Sequence, residues 1–480
     1  MKTEKVSTSD KSKLRIAALD LLTAPDFFRR ALRILRREGL VGEKLNALVL
    51  YIVAISALLT RPLNALVKGS SSSGKNFLVN HVLRLLPKTA VREITSSSAT
   101  AWNYGEDDFR NKVVYLQERN DAAGSVHSLR LLISEGKLKR IVTVRENGRL
   151  VKRTIVANGP ISSISTTTKD QIETDDETRH ITVRIDESRE QTRRINMVYF
   201  STPSTNSTDS LEMCREAYRL VSERAADSEV VLPCWFSSIG EQVDDSSVTV
   251  RRYSPAFVGA CKAIALLRSF QKTPDGENAA QDQIEVDFVD YSIAAILFDK
   301  VFVESLHPTA DKNSETRLAV DELCKANNGA GISADELAQH LGISKERAYA
   351  RLRSASDAGV VERANGSQRG NLKLYRPVDL PRFVPEPQML FSEIREIPGP
   401  VEFIHPLTGE VVRFSRTGRN ISGGVDAKGS GRKAKRTVAI HSEPEPRFLG
   451  AECGDSIEGS RSARRAEHAN LKKLEKKGSE

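Results

Sequence analysis

The segment from Gly69 to Asn76 has the residue types and spacing of a phosphate-binding loop. It reads Gly-Ser-Ser-Ser-Ser-Gly-Lys-Asn and matches the pattern G-x-x-x-x-G-K. Glycines let the backbone curl so that successive N–H groups face a phosphate, and the lysine reaches the terminal phosphates. We therefore predict a nucleotide site, with ATP as the cofactor. The predicted binding residues are Gly69, Ser70, Ser71, Ser72, Ser73, Gly74, Lys75 and Asn76.

The sequence on either side of this loop distinguishes it from an ordinary serine-rich loop, which is the alternative interpretation. Ala65-Leu66-Val67 is a short apolar run of strand character after Pro62. Phe77 to Leu86 has the apolar spacing of a helix, and Pro87 ends it. A helix that begins at the loop adds the positive end of its dipole to the phosphate site.

The residues expected to contact Mg²⁺ are unusual. Asn76 occupies the position where such loops usually have Ser or Thr, and we predict that its amide oxygen binds the metal. The apolar run from Val113 ends in Gln117-Glu118, and a carboxylate at such a strand end can orient the attacking water. Glu118 is therefore the predicted catalytic residue, although it could simply end a buried strand. Because Gln117 replaces the usual Asp, the sequence supports nucleotide binding more directly than hydrolysis.

Further polar residues follow at positions where a phosphate could be sensed. Thr167, within Thr166-Thr167-Thr168, is predicted to end a core strand and sense the terminal phosphate, or else to cap the strand. Arg179 is predicted to project into a neighbouring subunit's site. Arg251 and Arg252 are predicted to supply a second cation to the phosphates. For each arginine, a surface salt bridge is the alternative.

A basic hairpin is predicted between residues 137 and 153. This stretch contains seven Lys or Arg residues and one acid, Glu146, and Asn147-Gly148 is a strong turn signal between two apolar runs. Such a hairpin can contact nucleic-acid phosphates, and Lys152 and Arg153 are the predicted DNA contacts. A solvated surface hairpin is the alternative.

The stretch from Ser314 to Val378 is predicted to be a winged helix. Ser333 begins one helix with Glu336 at the capping-box position, Gly342 makes the turn, and Ser344 caps a second helix. From Ser344 to Arg376 there are 8 basic and 3 acidic residues, which suits a helix that enters the major groove. The alternative is a winged helix used for protein contacts. The predicted DNA contacts on the second helix are Lys345, Arg347 and Arg351.

Length, charge and cysteine content limit the functional classes. At 480 residues several domains are expected, and +6 of the net charge of +9 lies between residues 416 and 480. The five cysteines are scattered, which argues against a zinc ribbon or a disulfide framework. The first 14 residues do not resemble a secretory signal, and the longest apolar run, about 13 residues, is too short to span a bilayer. We therefore predict a cytoplasmic protein without membrane association.

Four segments are predicted along the chain. Residues 1–63 form an N-terminal helical segment, and residues 64–310 form the ATPase core and its helical lid, with long helices over 256–272 and 287–306. Residues 314–378 form the winged helix. Residues 379–480 contain a small hairpin, over 401–414, and a basic, largely disordered tail.

Taken in order, these parts resemble an AAA+ ATPase with a hairpin before the first sensor, as in minichromosome-maintenance-type helicases. They resemble more closely the helicase-like portion of primase-helicase proteins of phages and mobile elements. The similarity extends from about Ala18 to Val378. The matching segments are Val41 to Asn46, Ser70 to Lys75, Glu118, Ser134 to Leu138, Thr166 to Thr168, Glu190 to Arg193, Arg251 to Tyr253, and Asp290-Tyr291.

The resemblance implies an α/β fold with an AAA+ P-loop core, an inserted β-hairpin and a helical lid. It implies that Arg179 is the arginine finger, that Arg251 or Arg252 is the lid arginine, and that the chain forms a homo-oligomer such as a hexamer. The zinc-binding primase segment of full-length relatives is absent from this sequence, so a primase would be a separate partner.

The resulting hypothesis is a ring-forming DNA helicase or helicase loader of a mobile element that uses ATP and Mg²⁺. Single-stranded DNA would contact the hairpin, and duplex DNA would contact the winged helix. One alternative is an ATP-switched, non-hydrolysing DNA-binding initiator or regulator. Another is an inactive interaction scaffold that binds no nucleotide.

Overall fold

The computed structural model describes residues 8–94, 109–117, 123–146, 149–169, 177–201, 208–243, 248–272, 283–306, 314–364, 373–378 and 382–416. All of them belong to one compact unit that extends to Gly418. Glu118, the turn residues Asn147 and Gly148, and the predicted tail beyond residue 416 lie outside the described residues.

The main sheet has five parallel strands in the order β2-β3-β6-β1-β7. Because the strands are parallel, their carboxyl ends meet at one edge, and the phosphate loop follows β1 at that edge. Strands β1 and β6 are buried along their whole length, as expected for a parallel sheet covered on both faces. The strands are β1 (Ala65–Lys68), β2 (Val91–Ile94), β3 (Lys112–Leu116), β6 (Ile161–Thr167) and β7 (Ile181–Arg184).

Side chains alternate across β3 between two apolar cores. Val113 and Tyr115 belong to the large core, and Val114 and Leu116 belong to a smaller core on the other face. The smaller core also contains Leu132 of helix α5. The sheet is thus enclosed by helices on one face and by α5 with the base of the hairpin on the other.

The large core also takes in the N-terminal helices, whose apolar residues are buried together with those of the helices that follow the sheet. The helices that precede or flank the sheet are α1 (Thr8–Thr23), α2 (Phe27–Arg37), α3 (Lys44–Ile55), α4 (Lys75–Leu83) and α5 (Ala123–Glu135). Those that follow it are α6 (Arg189–Tyr199), α7 (Thr208–Asp227), α8 (Ser237–Gly240), α9 (Val250–Lys272) and α10 (Phe288–Leu306). The short parallel strands β8 (Glu229–Val231) and β9 (Gln283–Glu285) pair beside them.

Helix α9 begins six residues before the predicted position at residue 256. Val250 and Tyr253 are buried and continue the apolar face of the helix toward Phe257 at the spacing of a helical turn. Arg251 and Arg252 therefore belong to the first turn of this helix.

Strands β4 (Lys137–Glu146) and β5 (Arg149–Asn158) pair antiparallel over their whole length and form a hairpin, called the basic hairpin below. Its base is tied to the core, because the Gly159 N–H donates to the Gly136 carbonyl and the Phe109 N–H donates to the Asn158 carbonyl. In the chain, the hairpin lies between β3 and β6, which are neighbours in the sheet.

Residues 314–378 have a separate apolar core. Three helices and two short antiparallel strands form this part, and Ser333 and Glu336 make a reciprocal capping box at the start of the second helix. The elements are α11 (Ser314–Ala326), α12 (Ala334–Leu341), α13 (Lys345–Asp357), β10 (Val361–Arg363) and β11 (Tyr375–Pro377).

The chain then returns to the large core, which the sequence did not suggest. Helix α14 (Pro387–Glu393) and the antiparallel strands β12 (Val401–Ile404) and β13 (Val411–Phe414) pack through aromatic rings. The ring centroids of Phe288 and Phe391 are 5.3 Å apart, and those of Phe288 and Phe414 are also 5.3 Å apart. Among the helices of the described ranges, none is both long and apolar enough to cross a membrane.

Candidate functional site

The phosphate loop connects β1 directly to α4 and is built on unusual backbone angles. Gly74 has φ +95° and Ser72 has φ +65°, both in the left-handed region. A Cβ atom on Gly69 would lie 2.7 Å from Ser73 Oγ and 3.0 Å from Glu187 Oε1. The backbone conformation at position 74 favours glycine, and a side chain at position 69 would require the Ser73 and Glu187 side chains to move.

Lys75 is the first residue of α4, and its side chain lies back over the loop. Its Nζ donates to the carbonyl of Gly69 at 2.9 Å and to the carbonyl of Ser70. The ammonium is thus held at the loop at the amino end of a helix, where an anion is also stabilised by the helix dipole. A bound phosphate would compete with these two carbonyls for the same ammonium.

Two oxygens in the loop fit a hard metal ion. Asn76 Oδ1 and Ser73 Oγ are inaccessible to solvent and have no hydrogen-bond partner among the residues that the structure describes. Orphaned oxygens of this kind suit Mg²⁺, which prefers oxygen ligands. Asn76 and Ser73 would hold the ion, which when bound would neutralise charge on the phosphates. No group of three or more His, Cys, Asp or Glu side chains in the described ranges could form another metal site.

The strand register brings the predicted sensor to the phosphate loop. Thr167 ends β6 and lies directly opposite Lys68, the residue before Gly69. The Thr167 hydroxyl accepts a hydrogen bond from the Lys169 N–H at 3.1 Å, so it also caps the strand. Gln117 follows β3, which lies beside β6 on the side opposite to β1. The Gln117 N–H donates to the Ile94 carbonyl.

Lys68 forms an ion pair that the motif analysis missed. Its side chain is only 1% exposed, and its ammonium pairs with the carboxylate of Glu177. A buried ammonium needs such a partner because removing the charge from water is costly. The signal in the sequence was the lysine at the end of an apolar strand, but the sequence does not identify the partner.

The residues after Glu177 contact two further elements. The Thr178 hydroxyl accepts a hydrogen bond from Arg252 of α9, and Arg179 donates to Ser134 Oγ of α5 at 2.6 Å. Arg252 is therefore beside Thr178, and the Arg251 side chain is exposed. We call residues 177–179 the finger segment.

A second acidic side chain reaches the phosphate loop from the start of α6. The Glu187 carboxylate accepts a hydrogen bond from the Ser70 N–H. Nearby, Glu43 accepts from the Asp186 N–H at 2.8 Å and from the Asn46 side chain at 2.6 Å. Burial raises the pKa of Glu43, and these two hydrogen bonds oppose that effect.

The predicted DNA contacts lie on the basic hairpin and on α13. The Lys152 side chain is exposed on β5, and the backbone of Arg153 pairs with Val142, although the Arg153 side chain lies outside the described residues. On α13, Lys345 pairs with Asp335 at 2.8 Å and Arg347 is exposed. Arg351, one turn further, is half-buried.

Comparison with known proteins agrees with the loop and the sheet. Residues 17–224 match the family model described as the MTBMA_p00010 P-loop domain. This match spans 208 of the 480 residues and supports a P-loop core. The matched range begins within α1 and includes the N-terminal helices that bury their apolar residues with the sheet. The coarse predictions of a mixed α/β fold and of a P-loop core are therefore confirmed. No curated protein sequence matches this chain.

The solved structures with distant similarity to this chain include the following three. The Orc1 protein of Aeropyrum pernix in complex with DNA is 13% identical to this chain. The alignment covers 78% of this chain and 96% of the Orc1 chain, with a TM-score of 0.25. The NrS-1 C-terminal region (305–718) is 16% identical to this chain. The alignment covers 73% of this chain and 76% of the NrS-1 region, with a TM-score of 0.24. NtrX from Brucella abortus is 11% identical to this chain. The alignment covers 69% of this chain and 71% of NtrX, with a TM-score of 0.22. With TM-scores this low, these similarities assign neither an activity nor a ligand.

Proposed function

We propose that this protein is an AAA+ ATPase that binds and hydrolyses ATP with Mg²⁺ and acts on DNA as a ring-forming helicase or helicase loader of a mobile element. The observation that carries the proposal is the position of the basic hairpin. It is inserted between β3 and β6, the neighbouring strands that lead to Gln117 and to Thr167. Movement at the nucleotide site could therefore reach the base of the hairpin through two adjacent strands.

In this proposal each side chain has a defined task. Lys75 and the loop N–H groups bind the phosphates, and Asn76 holds the metal. Glu118 orients the attacking water, and Thr167 senses the terminal phosphate. Arg179 acts on the nucleotide of a neighbouring subunit in a homo-oligomer, and Arg251 or Arg252 supplies the lid cation. A separate primase would complete the replication machinery.

Two regions would contact DNA. Lys152 and Arg153 of the basic hairpin would contact phosphates of a single strand, because cations on an exposed hairpin can follow a backbone without reading bases. Residues 314–378 would act as a winged helix, with Lys345, Arg347 and Arg351 on the helix that enters the major groove. The wing would be formed by β10 and β11.

Metal-dependent ATP turnover, measured with and without single-stranded DNA, tests this proposal. We expect hydrolysis that DNA stimulates in the parent and no hydrolysis in Lys75→Ala. A second candidate is an ATP-switched DNA-binding initiator or regulator that does not hydrolyse ATP, and the amides of Asn76 and Gln117 favour it. Tight ATP binding without turnover, at any DNA concentration, would support the switch and reject the helicase.

A further inference from the structure

Glu177 joins the strand that leads into the phosphate loop to the segment that carries Arg179. Its carboxylate pairs with Lys68, which directly precedes Gly69. Ile181, at the start of β7, pairs with Ala65 at the opposite end of β1. Glu177 thus precedes β7 in the chain, and its ion pair joins that segment to the end of β1.

This contact is a strong constraint because of its burial. The Lys68 side chain is 1% exposed and that of Glu177 is 21% exposed. An ammonium removed from water needs a carboxylate beside it, so loss of the Glu177 carboxylate takes a charged partner away from a buried ammonium. The position of residue 177 is therefore tied to the end of β1.

The neighbouring residues restrain the rest of the finger segment. Arg252 of α9 donates to Thr178, and Arg179 donates to Ser134 of α5. Three consecutive residues thus contact three separate elements of the core. Only one residue separates the ion-paired carboxylate from Arg179, so the backbone of Arg179 has little freedom to shift on its own.

We propose that Glu177 is a positioning residue that sets the finger segment so that Arg179 reaches the nucleotide of the neighbouring subunit. This inference rests on the proposed function, in which Arg179 acts across a subunit boundary. A phosphate of the neighbour would replace Ser134 as the partner of the Arg179 guanidinium, because a charged acceptor forms the stronger hydrogen bond. The ion pair with Lys68 would then link finger placement to the phosphate-loop strand of the same subunit.

A purely structural ion pair would behave differently from a positioning residue. If Glu177 only stabilises the fold, its replacement should impair whichever protomer contains it. If Glu177 positions Arg179, its replacement should impair the protomer that donates the finger much more than the protomer that supplies the ATP site. A mixture of two variants can separate these roles.

The experiment mixes full-length Lys75→Ala, which keeps its finger, with full-length Arg179→Ala, which keeps its ATP site. ATP hydrolysis should recover in the mixture because some sites pair an intact loop with an intact finger. Adding Glu177→Gln to the Lys75→Ala chain should lower the recovered turnover by about tenfold to a hundredfold, as expected for a misplaced catalytic group. Adding it to the Arg179→Ala chain should lower the recovered turnover by a clearly smaller factor, because the finger of that chain is already absent.

Two control variants keep the result interpretable. Lys68→Met combined with Glu177→Gln removes the buried ammonium together with the carboxylate that pairs with it, so this chain should fold and should still fail as a finger donor. Glu223→Gln removes an exposed carboxylate that pairs with Arg15 at 3.5 Å, and should have no effect in the donor. Thermal unfolding of each chain verifies that it is folded.

Two results would overturn the positioning role while the parent mixture still recovers hydrolysis. One is full recovery with both Glu177 variants in the donor. The other is an equal loss when Glu177→Gln is in the chain that supplies the ATP site. Absence of recovery in the assembled parent mixture would instead reject the finger in trans, and the positioning role with it.

Discussion

The carboxylate of Glu187 accepts a hydrogen bond from the backbone N–H of Ser70, the second residue of the phosphate loop. Glu187 directly precedes Ser188, which caps helix α6, so the contact links the start of that helix to the nucleotide site. An acidic side chain beside a loop that binds polyanions repels the phosphates. We therefore expect Glu187 to oppose the binding of a nucleotide to this loop.

Glu187→Gln should therefore bind ATP more tightly than the parent. We expect the dissociation constant to fall by about twofold to tenfold, because one negative charge near the phosphates is removed while the amide can still accept the hydrogen bond. Calorimetry at low and high salt measures the change, which should shrink at high salt. Glu190→Gln, in the first turn of α6 and paired with Arg194, is the matched control. Unchanged or weaker binding would show that Glu187 supports the loop rather than opposing the nucleotide.

Lys75→Ala should abolish ATP binding. The substitution removes the ammonium that lies over the carbonyls of Gly69 and Ser70, where the terminal phosphates are expected. Binding of a fluorescent ATP analogue measures the effect, and far-UV circular dichroism verifies the fold. If the variant bound nucleotide as tightly as the parent, the assignment of the phosphate loop would be wrong.

Glu118→Gln should separate binding from hydrolysis. The amide cannot accept a proton from water, so ATP should remain bound while turnover falls by about a hundredfold or more. Parallel equilibrium binding and steady-state turnover provide the measurement. Equal turnover in the variant and the parent would assign the water-orienting role to another residue.

The two proposed DNA-contact regions should respond differently to the removal of positive charge. Lys152→Ala with Arg153→Ala should impair unwinding and the stimulation of ATPase by single-stranded DNA, with duplex affinity mostly retained. Arg347→Ala with Arg351→Ala should weaken duplex binding and reduce its salt slope by about one unit for each DNA phosphate that the variant no longer neutralises. Fluorescence anisotropy over a salt series measures both. If the two double variants behaved alike, the hairpin would have no separate mechanical role.

A buried charge cluster should control stability independently of the nucleotide. Asp290 is fully buried and pairs with Arg268 and Lys272 between α9 and α10. Asp290→Asn should lower the free energy of unfolding by about 3 kcal/mol, because it takes one charged partner away from each of two partly buried cations. Urea denaturation tests this value, with Glu223→Gln as the exposed control.

The same cluster predicts a dependence on pH. Burial alone would raise the pKa of Asp287, but Arg268 and Lys272 outweigh it and lower the pKa to about 2. Since this value is below the usual 3.8, the contribution of Asp287 to stability is complete above pH 3.8 and is lost as the pH falls toward 2. Asp287→Asn should flatten the dependence of the melting temperature on pH in that range. An unchanged slope would show that other carboxylates dominate acid unfolding.

The sequence by itself determined the parts of this protein that depend on local patterns. The phosphate loop was predictable because a left-handed backbone at Gly74 favours glycine, and because the loop needs a lysine at position 75. The start of helix α12 was predictable because Ser333 and Glu336 satisfy each other's backbone groups within four residues. In each case the decisive interactions lie within a few positions of the chain.

The tertiary structure decided which distant residues meet. Lys68 and Glu177 are 109 positions apart, and Ser70 and Glu187 are 117 apart, so no local pattern could pair them. The sequence predicts residues 379–480 as a separate segment with a small hairpin over 401–414, yet Phe391 and Phe414 pack against Phe288 in the large core. Apolar burial has no direction and charge pairing is satisfied by any nearby partner, so only the folded chain specifies the partners.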